Sequence, residues 1–249
     1  MNDWNQMKSG NPTLNSRVWG SNVATSSGNV MTLQGAINKC FIMLGLVVTM
    51  AIVAWNALAE RPELMGVMAG GSALAGFIVA MIACFKPRST PVTGPIYAVL
   101  EGLFVGAVSM VFESRYPGIV RQAVFMTFGV FAMMLFLYKI KALQATPGFV
   151  KGVIAATGAI FGVYVLSWIL RLFGIQMPFL YSGGLAGIGI SVVIVVIAAL
   201  NLIIDFAVIE QGAATGQEKY MEWYSAFALT VTLVWLYLEI LRLLSKMRR

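Results

Sequence analysis

Seven apolar runs, each long enough to form a membrane-spanning helix, dominate the sequence. A helix needs ~20 largely apolar residues to cross a hydrocarbon core of ~30 Å. Lipid offers no hydrogen-bond partners to an open sheet edge or an irregular backbone, so such runs favour helices. The sequence therefore predicts an all-α membrane protein, a bundle of seven transmembrane helices. The runs are residues 36–58, 64–85, 95–112, 119–138, 149–173, 179–209 and 223–244.

The composition excludes the other fold classes. Charged residues make up 11% of the chain and hydrophobic residues 59%, against about 25% charged in a typical soluble domain. A membrane β-barrel would show ~10-residue segments of alternating polarity, which this chain lacks. The net charge is +7, but the basic residues are scattered at the ends of the apolar runs and form no patch. We therefore expect a lipid bilayer as the environment and no nucleic-acid partner.

Residue types that are missing restrict the chemistry. The chain has no histidine and two cysteines, which excludes histidine bases, histidine metal ligands and a cysteine zinc site. An intramembrane aspartyl protease would need two membrane aspartates, and only Asp205 qualifies. A retinal protein would need a lysine in the seventh run, which has none. We therefore expect no enzymatic activity and no cofactor.

Two parts of the chain differ in character. Residues 1–35 are rich in Asn, Ser, Thr and Gly and show no sustained periodicity, which predicts a polar, disordered amino-terminal tail. Residues 36–249 then form one transmembrane domain, because their connections are short. Every proline in these connections is expected to lie at a run boundary, where it costs no internal hydrogen bond.

The basic residues also indicate orientation, since cytoplasmic loops carry more Lys and Arg. A cytoplasmic amino terminus places nine of them in inner loops and four in outer loops, and this favours it. The basic carboxy-terminal tail, which includes Arg242 and Lys246, opposes it. The predicted orientation therefore has the amino terminus on the inner side of the membrane.

Pairs of glycines at a spacing of four recur along the runs. Such pairs let two helix backbones approach closely, and we interpret them as ordinary bundle packing. They are Gly66/Gly70, Gly102/Gly106, Gly158/Gly162 and Gly183/Gly187.

Three acidic residues lie inside the runs, where an ionisable group costs at least ~2.5 kcal/mol and is a functional candidate. They are Glu101, Asp205 and Glu239. No Lys or Arg is expected deep enough in a run to serve as a buried partner. Asp205 lies ~6 Å from the end of the sixth run and Glu101 ~9 Å from the start of the third, so both can share one layer near the inner face.

Glu239 belongs to the opposite half of the bundle, within one turn of Arg242. Its expected role is that of an interfacial or locally paired acid, which makes it a secondary candidate. Two carboxylates close together in a low-dielectric site cannot both ionise cheaply. Such a pair can hold a proton or bind a hard cation through its oxygens. Asp205 and Glu101 therefore predict a proton-sensitive cation site, whose ion these residues do not identify.

The motifs in this order resemble those of the transmembrane Bax inhibitor motif family, the Bax inhibitor-1 related proteins. The matching segments are residues 101–109 (EGLFVGAVS), Asp205 followed by Ile209, and the leucine-rich residues 238–244. The similarity extends over roughly residues 36–245. Residues 11–15 (NPTLN) and 221–224 (MEWY) resemble the bacterial branch, which implies a bacterial inner membrane as the location.

The resemblance implies a helical bundle with the last helix at its centre and a role as a proton-sensitive calcium leak pathway. It implies that Asp205 is the gating aspartate of helix six and that Glu101 is the helix-three glutamate. It places Thr232 where many members carry a second aspartate on helix seven. The ion or proton site expected from it therefore comprises Asp205, Glu101 and Thr232.

A second class of function fits the same sequence. The polar tail and the missing second aspartate are also compatible with a non-transporting regulator. Such a regulator would bind membrane quality-control or stress-response proteins.

Overall fold

The chain folds into seven helices that are long and apolar enough to cross a membrane, as predicted. The structure, a computed structural model, describes residues 29–174 and 184–248. A 3-10 turn (Pro62–Leu64) and a π-helical turn (Val67–Gly71) precede α2 and complete its span. The helices are α1 (Leu33–Glu60), α2 (Ser72–Phe85), α3 (Thr90–Arg115), α4 (Ile119–Lys139), α5 (Pro147–Leu172), α6 (Leu185–Ala214) and α7 (Met221–Met247).

The last helix lies at the centre of the bundle, as the resemblance implied. Within the most apolar stretch of α7, 67% of the residues are buried inside the protein, against 11% in α5. Helix α7 packs on α6, α1, α3 and α4. Helix α5 packs mainly on α6 and turns most of its surface outward. Side chains on α7 are therefore mostly enclosed by protein, whereas most of those on α5 face outward.

Local signals explain several helix ends. The Thr32 side chain caps α1 by accepting a hydrogen bond from Gly35 N at 3.0 Å. Thr146 caps α5 in the same way, with Pro147 in the first turn. Between α3 and α4, Gly118 adopts a φ of +81°, a conformation that glycine takes at no steric cost. The Glu113 carboxylate accepts from Gly118 N at 2.6 Å and from Val120 N at 3.0 Å, and so closes this turn.

Three predicted boundaries differ from the structure. Pro95 lies inside α3, which begins at Thr90, so the helix lacks one backbone hydrogen bond near its start. Helix α1 begins at Leu33, before the predicted end of the tail at residue 35. Residues 1–28 of that tail lie outside the described part of the chain, and so do residues 179–183 of the sixth predicted run. Helix α6 extends to Ala214, five residues past its predicted end, and α3 begins five residues early, so both Asp205 and Glu101 lie about 7.5 Å deeper than predicted.

The tightest helix contact joins α1 and α3, which form the most extensive interface of the bundle. A Cβ atom on Gly102 would lie 2.6 Å from Val47 O, and one on Gly106 would lie 2.4 Å from Ala51 O. This glycine pair therefore packs helices, as expected. By contrast, a Cβ atom on any of Gly66, Gly70, Gly158 and Gly162 would meet nothing within 4 Å among the described residues. The packing role does not extend to those two pairs.

Substituting Gly106→Ala should push α1 and α3 apart, because the new methyl group overlaps the backbone of α1. We expect a loss of about 1–3 kcal/mol in the free energy of unfolding, typical of an overpacked core. Thermal unfolding of the purified protein in detergent measures it. The matched control is Gly162→Ala, whose methyl group points into open space. Equal unfolding temperatures for the two variants would contradict this account of the interface.

Candidate functional site

Asp205 is the acid with the least satisfied surroundings. Its side chain lies in the middle of the protein on α6 and is only 7% exposed. The hydroxyl of Thr232 on α7 lies beside the carboxyl group. The thiol of Cys40 on α1 lies close enough for the charge of Asp205 to act on it. Its Oδ2 atom is buried without a hydrogen-bond partner in the described part of the chain. One carboxylate oxygen is therefore free to accept a proton or a cation.

Glu101 has a different set of neighbours. It lies near the middle of α3 and is half-buried. The hydroxyl of Tyr97, one turn earlier on the same helix, lies beside its carboxyl group. Its Oε2 atom is 3.6 Å from the point where a Cβ on Gly76 would be, so the side chain faces α2.

The structure thus brings together two of the three residues of the predicted site. Asp205 and Thr232 meet between α6 and α7, whereas Glu101 lies against α2 with Tyr97. Within residues 29–174 and 184–248, no group of three or more Asp, Glu, Cys or His side chains is arranged to hold a metal ion. A site shared by Asp205 and Glu101 remains a prediction.

Glu239 lies in the half of the bundle away from the α6–α7 connection and is fully paired. Arg242 Nη1 donates to both of its carboxylate oxygens, at 2.8 and 3.0 Å, which confirms the predicted local pair. Tyr164 of α5 donates its hydroxyl to Glu239 at 2.9 Å, and Trp235 Nε1 donates at 3.2 Å. Arg242 also donates to the Tyr164 hydroxyl and stacks over its ring. The cluster links the peripheral α5 to the central helix.

One basic residue is buried beyond the predicted runs. Lys246, which the sequence assigned to the basic tail, is almost fully buried near the end of α7. Its Nζ atom donates to Gly187 O at 3.0 Å and to Ser191 Oγ at 2.7 Å, both on α6. The misassignment arose because α7 extends past the predicted end of its run at residue 244, so that Lys246 still lies within the bundle.

Sequence reasoning also missed Glu222, which precedes the seventh predicted run. This side chain is completely buried in the first turn of α7. Its Oε1 atom accepts from Thr32 N at 2.8 Å, from Thr32 Oγ1 at 2.9 Å and from Lys219 Nζ at 3.0 Å. Its Oε2 atom accepts from Lys39 Nζ of α1. The available signal was an acid at the start of a helix, where the helix dipole favours negative charge.

Comparison with known families identifies the family of this chain. A sequence profile described as Bax inhibitor 1 like matches residues 11–249. The chain belongs to the Bax inhibitor 1 like family. No curated protein and no solved structure matches it.

Membership in the Bax inhibitor 1 like family covers every helix, since the match begins before α1 and includes the end of α7. The Asp205–Thr232 pair and the Glu222 and Glu239 clusters all lie within the region that defines the family. The chain is thus a multi-pass membrane protein of this family.

Replacing Arg242 by Gln should destabilise the protein, because it leaves the Glu239 charge buried without its counter-ion. Removing one partner of a fully buried pair costs ~3–5 kcal/mol, and we expect roughly 2–3 kcal/mol here because Arg242 is 36% exposed. Adding Glu239→Gln should restore part of this loss. The midpoint of thermal unfolding measures both effects.

The matched control is Arg88→Gln, which breaks an exposed Arg–Glu pair. Arg88 and Glu218 are 75% and 25% exposed and lie 2.9 Å apart, so the loss should be much smaller than that of Arg242→Gln. Equal decreases in unfolding temperature for Arg88→Gln and Arg242→Gln would contradict the account that burial makes the Glu239 pair more stabilising than an exposed pair.

Proposed function

We propose that this Bax inhibitor 1 like protein is a proton-sensitive cation leak pathway in which Asp205 is the ion-binding carboxylate. The observation that supports it is the buried Oδ2 atom of Asp205, which has no partner among the described residues. The other two deeply buried acids, Glu222 and Glu239, are each bonded to basic side chains. Asp205 forms no such ion pair in the described ranges.

The chemistry follows from the cost of burying a charge. An isolated carboxylate away from water is unfavourable unless it holds a proton or meets a cation. The Thr232 hydroxyl can donate to a carboxylate and can also offer its oxygen to a hard cation. Proton loss at Asp205 would therefore generate a site with two kinds of oxygen ligand, between α6 and the central α7.

Glu101 supplies the second carboxylate of the proposed pathway. Calcium would be the transported ion, with Asp205 and Glu101 as its carboxylate ligands. Oxygen ligands bind calcium at ~2.3–2.6 Å, so shared coordination would require α3 and α6 to approach at the moment of passage. A leak pathway of this kind needs neither a cofactor nor catalytic chemistry.

Asp205→Asn should reduce calcium flux, since an amide keeps the shape of the side chain but cannot ionise. The test uses the purified protein in liposomes that contain a calcium dye, at several values between pH 6 and pH 8. Asp205→Asn should lower the flux by at least about tenfold and flatten its pH dependence, and Glu101→Gln should lower it as well. The control is Glu63→Gln, an exposed acid at the start of the second span.

Equal flux from the wild type, Asp205→Asn and Glu101→Gln at every pH would contradict the pathway. The non-transporting regulator would then be the better account of this protein.

We further propose that the amino terminus faces the cytoplasm of a bacterial cell. Lys39, Lys86, Arg88, Lys139, Lys141 and Lys219 all lie at the ends of helices on the side that holds the start of α1 and the α6–α7 connection. Lys246, counted against this orientation from the sequence, is bonded inside the bundle.

Cysteine substitution tests the orientation. A membrane-impermeant thiol reagent should modify Arg61→Cys in intact cells and Arg88→Cys only after the membrane is opened, because both positions are exposed but lie at opposite ends of the bundle. The reverse pattern would place the amino terminus outside.

A further inference from the structure

Residues 29–32 pair with the connection between α6 and α7 and form a joint that we call the inner clasp. Val30 and Glu218 form an antiparallel bridge. Met31 N donates to Gln217 O at 2.6 Å, and Lys219 N donates to Asn29 O at 2.9 Å. The inner clasp comprises these residues, 29–32 and 217–219, together with Lys39 and Glu222.

Glu222 is the electrostatic centre of the inner clasp. Its carboxylate is fully buried and receives four donors, of which three come from the chain around the start of α1. A Cβ atom on Gly35 would lie only 2.2–2.5 Å from the carboxyl atoms of Glu222. The start of α1 therefore rests directly on this carboxylate, and no space for water remains between them.

The inner clasp lies closer to the aqueous face than Asp205 does. Lys39 is followed by Cys40, the thiol that lies near enough to Asp205 to be affected by its charge. Met31 and Met221 are both buried at the base of the clasp. Cys40 lies ~11 Å and Asp205 ~14 Å from the helix ends at this face, so a route from the aqueous face between α1 and α7 would meet the inner clasp before it reached Cys40 and the carboxylate.

The charges of the clasp allow it to open without stranding a buried ion. Glu222 pairs with two lysines, Lys39 on α1 and Lys219 just before its own helix. If α1 moves away, Lys219 remains as a counter-ion, which avoids the large cost of an unpaired buried charge. The Lys39 side chain is 18% exposed in the closed form, so its ammonium group can be hydrated when it leaves.

We propose that the inner clasp is a gate that closes the aqueous route between α1 and α7 to Asp205, with Lys39 as the releasable bond and Lys219 as the permanent counter-ion of Glu222. The identification of this route as the ion path rests on the proposed function. Closure of the route itself can be tested without any transport.

Cys40 is a natural reporter for the gate, since it lies behind the clasp and is only 8% exposed. The chain contains two cysteines, so Cys84→Ser leaves Cys40 as the single thiol. In the full-length protein, the rate at which a small charged methanethiosulfonate reagent modifies Cys40 reports how often the route opens. A cationic and an anionic reagent are both used, so that attraction of one reagent to Lys39 does not decide the result.

Lys39→Met and Lys219→Met form a matched pair, because each removes one of the two lysines that hold Glu222. Lys39→Met should raise the modification rate about tenfold, the factor that corresponds to ~1.4 kcal/mol in favour of the open form. Lys219→Met should change it by less than about twofold, since the bond between α1 and α7 persists. Lys39→Arg should restore the wild-type rate.

A local charge effect predicts the opposite direction. A nearby ammonium favours the reactive thiolate, so its loss alone would slow the modification of Cys40. Equal rates for the wild type and Lys39→Met, or equal acceleration by the two methionine variants, would overturn the gate. Should Lys39→Met fail to fold, Thr32→Val removes one donor to Glu222 and should give a smaller acceleration of the same sign.

Calcium flux separates this inference from the proposed function. If both hold, Lys39→Met increases flux and the added Asp205→Asn change abolishes the increase. Faster modification of Cys40 without any Asp205-dependent flux would refute the leak pathway and leave the gate standing. Unchanged modification would refute the gate whatever the flux.

Discussion

The architecture depends on one constraint, the need to satisfy the polar side chains of α7 away from water. Lipid cannot solvate them, so each must find its partner in the protein. Glu222 is bonded to α1, Glu239 to Tyr164 of α5, and Lys246 to the first turns of α6. A helix that carries such groups is stable only when its neighbours surround it, and this places α7 at the centre of the bundle.

Asp205 differs from the other buried acids in how completely its carboxylate is bonded. Glu222 and Glu239 each have a basic partner and several hydrogen-bond donors, as structural carboxylates require. Asp205 is similarly buried but has the Thr232 hydroxyl beside it and, within the described residues, a carboxylate oxygen without a partner. A structural acid is fully satisfied at rest, whereas an acid that binds a passing ion must be incompletely satisfied. This difference is the physical reason for proposing Asp205 as the ion-binding carboxylate and for assigning the other two to contacts between helices.

Much of the fold could be predicted from the sequence, because hydrophobic length alone determines which segments cross a membrane. The apolar runs predict the seven spans, and the motifs place Asp205 and Thr232 on consecutive helices. The partners of the buried charges could not be predicted in this way. Glu222 and Lys39 are separated by most of the chain, and Lys246 lies beyond its run. Only the packing of α1 and α6 against α7 shows that these groups are enclosed. Pro95 was misplaced because a proline early in a helix interrupts a single backbone bond, which packing readily offsets.

The two clusters on α7 also differ in what they permit. The Glu239 cluster lies within α7 and its neighbour α5, and its arginine is the only basic group bonded to that carboxylate in the described chain. Separating it would leave a buried charge unpaired, so this end of α7 behaves as a fixed point. Glu222 has two basic partners on two different segments, and Lys219 can remain when Lys39 leaves. Release of Lys39 would therefore let α1 move away while α7 stays in place, held by the Glu239 cluster at its other end. The unequal pairing of the two buried acids thus makes α7 the fixed helix and α1 the helix that the proposed gate moves.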